Sequence, residues 1–178
     1  KVNETELSFL SIQQIQELLS IMRSMKNPHV LLITRICLAT GARWSEAEQL
    51  RKTQVRSNVI QYARTKSGKT RAVPISGDLY QAITSHAQQF GSMGRIFGYA
   101  YHAFETAIAR SSIELPEGQM THVLRHTFAS HFMMNGGNIL TLQRILGHSS
   151  IQMTMRYAHL APDHLQEAKT LNPLAALT

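Results

Sequence analysis

Thr121-His122-Val123-Leu124-Arg125-His126-Thr127-Phe128-Ala129 opens the stretch that decides how this chain is read. It predicts a helix from Thr121 to Asn135, closed by Gly136-Gly137. His122 and Arg125, three positions apart, then lie on one helical face. A short helix, Leu140 to Leu146, follows and is closed by Gly147, which sets His148 directly after a turn. Ser149 or Ser150 can cap one more helix running toward Tyr157.

Upstream, Ser11-x-x-Gln14 matches a capping box, with Leu10 and Ile15 placed as a hydrophobic staple over an amphipathic first helix. Asn27-Pro28 predicts a cap followed by proline at the first helical position. The apolar run through Leu38 makes this second helix the buried one. It stops at Thr40-Gly41, after which Ser45 is expected to cap a short helix through Leu50, so Arg43 falls on the bend between two helices. Between Asn58 and Ile75 the character changes. Val59-Ile60-Gln61-Tyr62 and Arg71-Ala72-Val73-Pro74-Ile75 flank Lys66-Ser67-Gly68-Lys69, which predicts a hairpin with cations at its tip. Helices return over Asp78–Gln89 and Tyr101–Ser111. The expected fold is mainly α with a small antiparallel β-sheet (α+β). From Pro162 the tail carries a last helical stretch and then the apolar end Leu171-Asn172-Pro173-Leu174.

A chain of 178 residues, 43% hydrophobic and 16% charged, can bury one well-packed core. Eighteen Lys and Arg against 11 Asp and Glu give a net charge of +7, which favours a polyanionic partner. The lone Cys37 sits in the apolar run Val30 to Ala39 and reads as a buried structural thiol. No stretch approaches the roughly 18 apolar residues that span a bilayer, and no signal-peptide pattern opens the chain, so a soluble, cytoplasmic protein without membrane contact is expected. The chain begins with Lys1 and a polar run, and is expected to be a fragment of a larger protein.

Arg43, Lys66, His122, Arg125, His148 and Tyr157 together allow phosphoryl transfer. Only about 0.1% of an unassisted tyrosine is ionised at pH 7, so attack on a phosphodiester needs help from nearby cations. Two guanidinium groups can clamp the non-bridging oxygens and offset charge in the pentacoordinate transition state. Lys66, or Lys69 in its place, can protonate the departing 5′ oxygen from a hairpin tip. His122 and His148 can hydrogen-bond the phosphate or shuttle the tyrosine proton. Exchange of one phosphodiester for another needs no nucleotide cofactor.

Taken singly, each residue has a plainer reading. Chance supplies roughly 0.6 His-x-x-Arg pairs in a chain of this makeup. Arg43 could pair with Glu46, His122, His126 and His131 could mark a helix face, and Tyr157 could be a packing aromatic with its hydroxyl in water. Trp44 and Met133-Met134 read as packing residues. A metal site at His122 and His126 lacks the glutamate of a zincin motif, because Val123 occupies that position.

The order of these residues resembles the tyrosine recombinase family, also called phage integrases. Ala39 to Glu46 is similar to the family's first arginine box, Thr65 to Lys69 through Val73-Pro74 to its lysine hairpin, and Thr121 to Ala129 to its second arginine box. Leu146-Gly147-His148-Ser149-Ser150 and Tyr157 complete the pattern. Thr121 to Gly137 and Met153 to Ala158 resemble integrases of peduovirus-type temperate phages. The resemblance implies that Arg43, Lys66, His122, Arg125 and His148 surround a scissile phosphate, that Glu46 supports the site from behind, and that Tyr157 forms a 3′-phosphotyrosine. It implies a site-specific recombinase for phage integration and excision, acting on double-stranded DNA attachment sites as a dimer or tetramer, with accessory DNA-bending or directionality proteins, in the bacterial host cytoplasm.

Residues 1–178 would be the catalytic domain, upstream DNA-binding domains would be absent from the chain, and a tail over about 161–178 would be exchanged between protomers. An Xer-like or transposon recombinase, a type IB topoisomerase and a catalytically idle DNA-binding regulator are the alternatives. The last needs cations but no placed tyrosine.

Overall fold

The computed structural model describes residues 8–63 and 70–177. The expected cationic hairpin tip, with Thr65, Lys66 and Lys69, lies outside the described residues. Helix α1 (Ile12–Arg23) begins with the full capping box: Gln14 N–H donates to the Ser11 hydroxyl and Ser11 N–H to the Gln14 side chain. Helix α2 (Val30–Thr40) begins two residues later than the proline rule suggests, because the Asn27 side chain accepts from the His29 and Val30 N–H groups. It buries Val30, Leu32, Ile33, Ile36 and Cys37, and packs against α1, α3 (Trp44–Glu48), α4 (Gly77–Phe90), α5 (Tyr101–Arg110) and α6 (His122–Met134). The helix that is apolar on most sides is thus the central one, since only a fully surrounded helix can bury every face.

Ser45 does not cap α3. The helix starts two residues earlier than that cap implies, at Trp44 with Arg43 as the cap, because the Glu46 carboxylate reaches back to accept the Arg43 N–H at 2.8 Å. A three-stranded antiparallel sheet follows, in the order β1 (Val55–Arg56), β2 (Val59–Tyr62), β3 (Arg71–Pro74). Its register sets Ile60 opposite Val73 and Tyr62 opposite Arg71, and these four side chains form the buried face. An arginine stands where the strand period calls for an apolar residue.

After α6 come α7 (Ile139–Leu146), α8 (Ile151–Met155) and a 3-10 turn over Ala158–Leu160. Ala129, Met133, Leu142, Leu146 and Tyr157 make a second, smaller core, with Phe128 and Phe132 packed against it. The tail forms a short helix, α9 (Ala168–Leu171), between 3-10 turns. Its leucines Leu165, Leu171, Leu174 and Leu177 are all more than two-thirds exposed. Among the described residues no helix is long and apolar enough to cross a membrane. The mainly α architecture with a small antiparallel sheet agrees with the sequence reading, and β1 extends the predicted hairpin by one short strand.

Candidate active site

Two helix ends and one helix start define the site. Helix α2 ends at Gly41 and α7 at Gly147, both in the left-handed region with φ of 68° and 69°. Each turn presents a backbone carbonyl to Arg125 on α6: Nη1 donates to Gly41 O and Nη2 to Leu146 O, both at 2.7 Å. A guanidinium carries five N–H groups, so these two bonds orient it without exhausting its donors. Burial pushes the Arg125 group down to about 10, helped by the positive charges of Arg43 and Arg71, and it stays cationic at neutral pH.

Arg43 stands at the start of α3, two residues past Gly41, with 43% of its side chain exposed and Nη1 3.6 Å from Glu46. The Arg43–Glu46 pairing considered from sequence therefore exists, but it is loose and open to solvent. Glu46 is held mainly by Arg71, whose Nη1 and Nη2 donate to its two oxygens at 2.7 and 3.0 Å. Burial alone would raise the Glu46 carboxyl; the Arg71 hydrogen bonds and the Arg43 N–H outweigh it and hold the group below its ordinary value. Arg71 also donates from Nε to Ile145 O at 2.9 Å and lies 4.8 Å from the Tyr62 ring centroid. Sequence reasoning missed Arg71 as a site residue. The available signal was an arginine on the inward phase of an otherwise apolar strand.

Tyr157 is 2% exposed, its ring set in the smaller core, and its hydroxyl lies 2.7 Å from His126 Nδ1. The reading of a hydroxyl in water is overturned, because the phenol tip finds a partner on α6. Burial raises the Tyr157 hydroxyl, and the charges of Arg156 and Arg125 partly oppose that rise. His148 Nδ1 lies 2.8 Å from the buried Thr154 hydroxyl. Burial, then the charges of Arg125, Arg43, Arg156 and Arg71, push the His148 ring down to about 4. His126 falls to about 4 through burial and then the charges of Arg156, His122 and Arg125. Both rings are neutral at pH 7. His122 is exposed at the first position of α6.

Of the six residues singled out from sequence, Arg43, His148 and Tyr157 share the field of Arg125, and His122 acts with Arg125 on His126. Lys66 lies outside the described residues. Such a cluster of two guanidinium groups, imidazole rings and a phenol has the donors and the nucleophile that attack on a phosphodiester requires.

A model described as "Phage integrase family" matches residues 8–95 and 98–164. The integrase of Escherichia phage 186 is 54% identical over 178 residues, covering 100% of this chain and 52% of that protein. The integrase of Haemophilus phage HP1 (strain HP1c1) is 57% identical over 175 residues, covering 98% of the chain and 50% of that protein. The chain spans about half the length of these curated relatives. The solved catalytic domain of bacteriophage HP1 integrase superposes with a TM-score of 0.88 at 55% identity, covering 97% of this chain and 99% of that one.

Proposed function

Since the chain belongs to the phage integrase family, we propose that it is the catalytic domain of a site-specific recombinase that integrates and excises a phage genome. The observation that carries this reading is the placement of the Tyr157 hydroxyl beside the α6 helix that bears Arg125, within the charge field of that arginine. A DNA-binding regulator has no need of a buried phenol held at the edge of a cation cluster.

In the proposed reaction Tyr157 Oη attacks the scissile phosphorus as its proton passes to His122 or His148, the P–O5′ bond breaks, and a 3′-phosphotyrosine remains. Arg43 and Arg125 bind the non-bridging oxygens, and because Arg125 is oriented by two carbonyls before DNA arrives, little reorganisation is required as charge builds. His148, with Nδ1 engaged by Thr154, offers Nε2 to a phosphate oxygen, and His122 faces the same phosphate. Lys66 protonates the leaving 5′ oxygen. Rejoining is the reverse attack by a 5′ hydroxyl, so the phosphodiester energy is retained without a nucleotide cofactor. Double-stranded attachment sites are the substrate, bound by a dimer or tetramer in which residues 161–178 dock their exposed leucines on a neighbouring protomer. Accessory DNA-bending or directionality proteins complete the assembly, and further DNA-binding domains belong to the longer protein.

The test is a nicked suicide substrate carrying the attachment site, mixed with the protein and scored for a DNA adduct that survives denaturation. An adduct lost in Tyr157→Phe supports the reading; specific binding without an adduct favours the idle regulator.

A further inference from the structure

Tyr157 follows a five-residue helix, α8, and precedes a 3-10 turn. So short an element holds its side chain in place only weakly through its own backbone. The ring is held by the apolar contacts of the smaller core, which resist withdrawal but allow sliding and tilting. Among the described residues the phenol oxygen is held by one directional contact, His126 Nδ1 at 2.7 Å. The two rings do not stack: their centroids are 6.1 Å apart at an angle of 44°, so the contact is made by the polar atoms.

We propose that His126 is the positioning residue for the nucleophile, holding the Tyr157 oxygen in register with the phosphate-binding residues of its own chain. His126 is one residue beyond Arg125 and one turn beyond His122 on the thirteen-residue α6, whose buried face is anchored by Val123, Leu124, Thr127 and Ser130. One rigid helix thereby fixes both the expected position of the phosphate and the position of the attacking atom. The ring is neutral at physiological pH, and in either tautomer Nδ1 can bond the phenol oxygen, as acceptor or as donor. The inference rests on the recombinase reading for its consequence, though the contact itself does not.

The experiment compares His126→Leu with His126→Asn, whose amide places a polar atom near the position of Nδ1. Under single-turnover conditions on the nicked attachment-site substrate, His126→Leu should form the adduct roughly 10- to 100-fold more slowly at unchanged DNA affinity, as displacement of a reacting atom does. His126→Asn should recover most of that loss. A 5′-bridging phosphorothiolate, whose leaving group needs no proton, should leave the His126→Leu defect in place. In the free protein, labelled with 13C at the tyrosine ring, the Tyr157 signal, identified by its loss in Tyr157→Phe, should move in His126→Leu and return toward its place in His126→Asn. Wild-type cleavage by His126→Leu, equal slowness of both variants, rescue by the phosphorothiolate, or an unmoved Tyr157 signal would each overturn the proposal. A wild-type protein that forms no Tyr157-dependent adduct would instead overturn the recombinase reading, and the ring signal would still decide the contact.

Discussion

Arg71 grips the Glu46 carboxylate with both terminal nitrogens, at 2.7 and 3.0 Å, and so ties the β-sheet to the start of the helix that carries Arg43. Its Nε bond to Ile145 O extends the tie to the end of α7. One side chain thus clamps the sheet, the start of α3 beside Arg43 and the end of α7 ahead of His148.

Removing that clamp should cost stability. Arg71→Met strands a half-buried carboxylate and should lower unfolding free energy by roughly 3 kcal/mol. Arg71→Lys should recover less than half, because an ammonium cannot make the paired contact. Urea denaturation measures both; equal stability of Arg71→Lys and wild type would refute the paired-bond account.

The two arginines of the candidate phosphate clamp should behave oppositely on folding. The Arg43 side chain is 43% exposed and only loosely paired, so Arg43→Ala should change stability by less than about 0.5 kcal/mol. Arg125→Ala leaves the Gly41 and Leu146 carbonyls without their donor and should cost about 2 kcal/mol or more. Both variants should fail to form the adduct. Thermal unfolding alongside the suicide-substrate assay separates lost chemistry from lost fold.

Gly147→Ala should be among the most damaging single methyl additions. Its φ is 69°, and a Cβ there would sit 2.4 Å from Arg71 Cδ. Strain and overlap together should cost roughly 2–4 kcal/mol. A variant with an unchanged urea midpoint would show that Arg71 can yield at no cost.

Acid should weaken the fold in a defined window. His86, against His29, joins His126 and His148 in having a folded value of about 4 where the ordinary value is 6.5. Each unfolded ring takes up a proton that the folded ring refuses, so stability falls as pH drops from about 6.5 to about 4 and then levels for these groups. Glu46, depressed in the fold, adds a loss as pH falls from about 4.5 through its folded value. Urea midpoints from pH 7.5 to 4 should trace this fall, and His148→Gln should flatten part of it. A midpoint that is level from pH 6.5 to 4.5 would contradict the half-buried neutral rings.

DNA affinity should fall steeply with salt, by about 0.9 log units per log unit of salt for each phosphate neutralised. Arg43→Ala should reduce the slope by about one phosphate and weaken all sequences alike. A slope insensitive to Arg43 would take that residue off the DNA backbone.

Local signals were readable in the chain alone. The Ser11/Gln14 capping box, the helix stops at Gly41 and Gly147 and the alternation in Val59–Tyr62 depend on residues a few positions apart, where propensity and hydrogen bonding are decided within one turn. The order of Arg43, His122, Arg125, His148 and Tyr157 carried the resemblance to the phage integrase family, which the family model bears out. Tertiary structure alone decided who touches whom. Arg71 reaches a carbonyl 74 positions away, Arg125 one 84 positions away, and Tyr157 meets His126 across 31. Even the start of α3 passed from Ser45 to Arg43 once Glu46 was held in place. Periodicity specifies which face of an element turns inward, but the identity of the atom waiting there depends on how separate elements pack. For the same reason a buried arginine on a strand and a second histidine on a helix read as unremarkable until the fold brought Glu46 and Tyr157 to them.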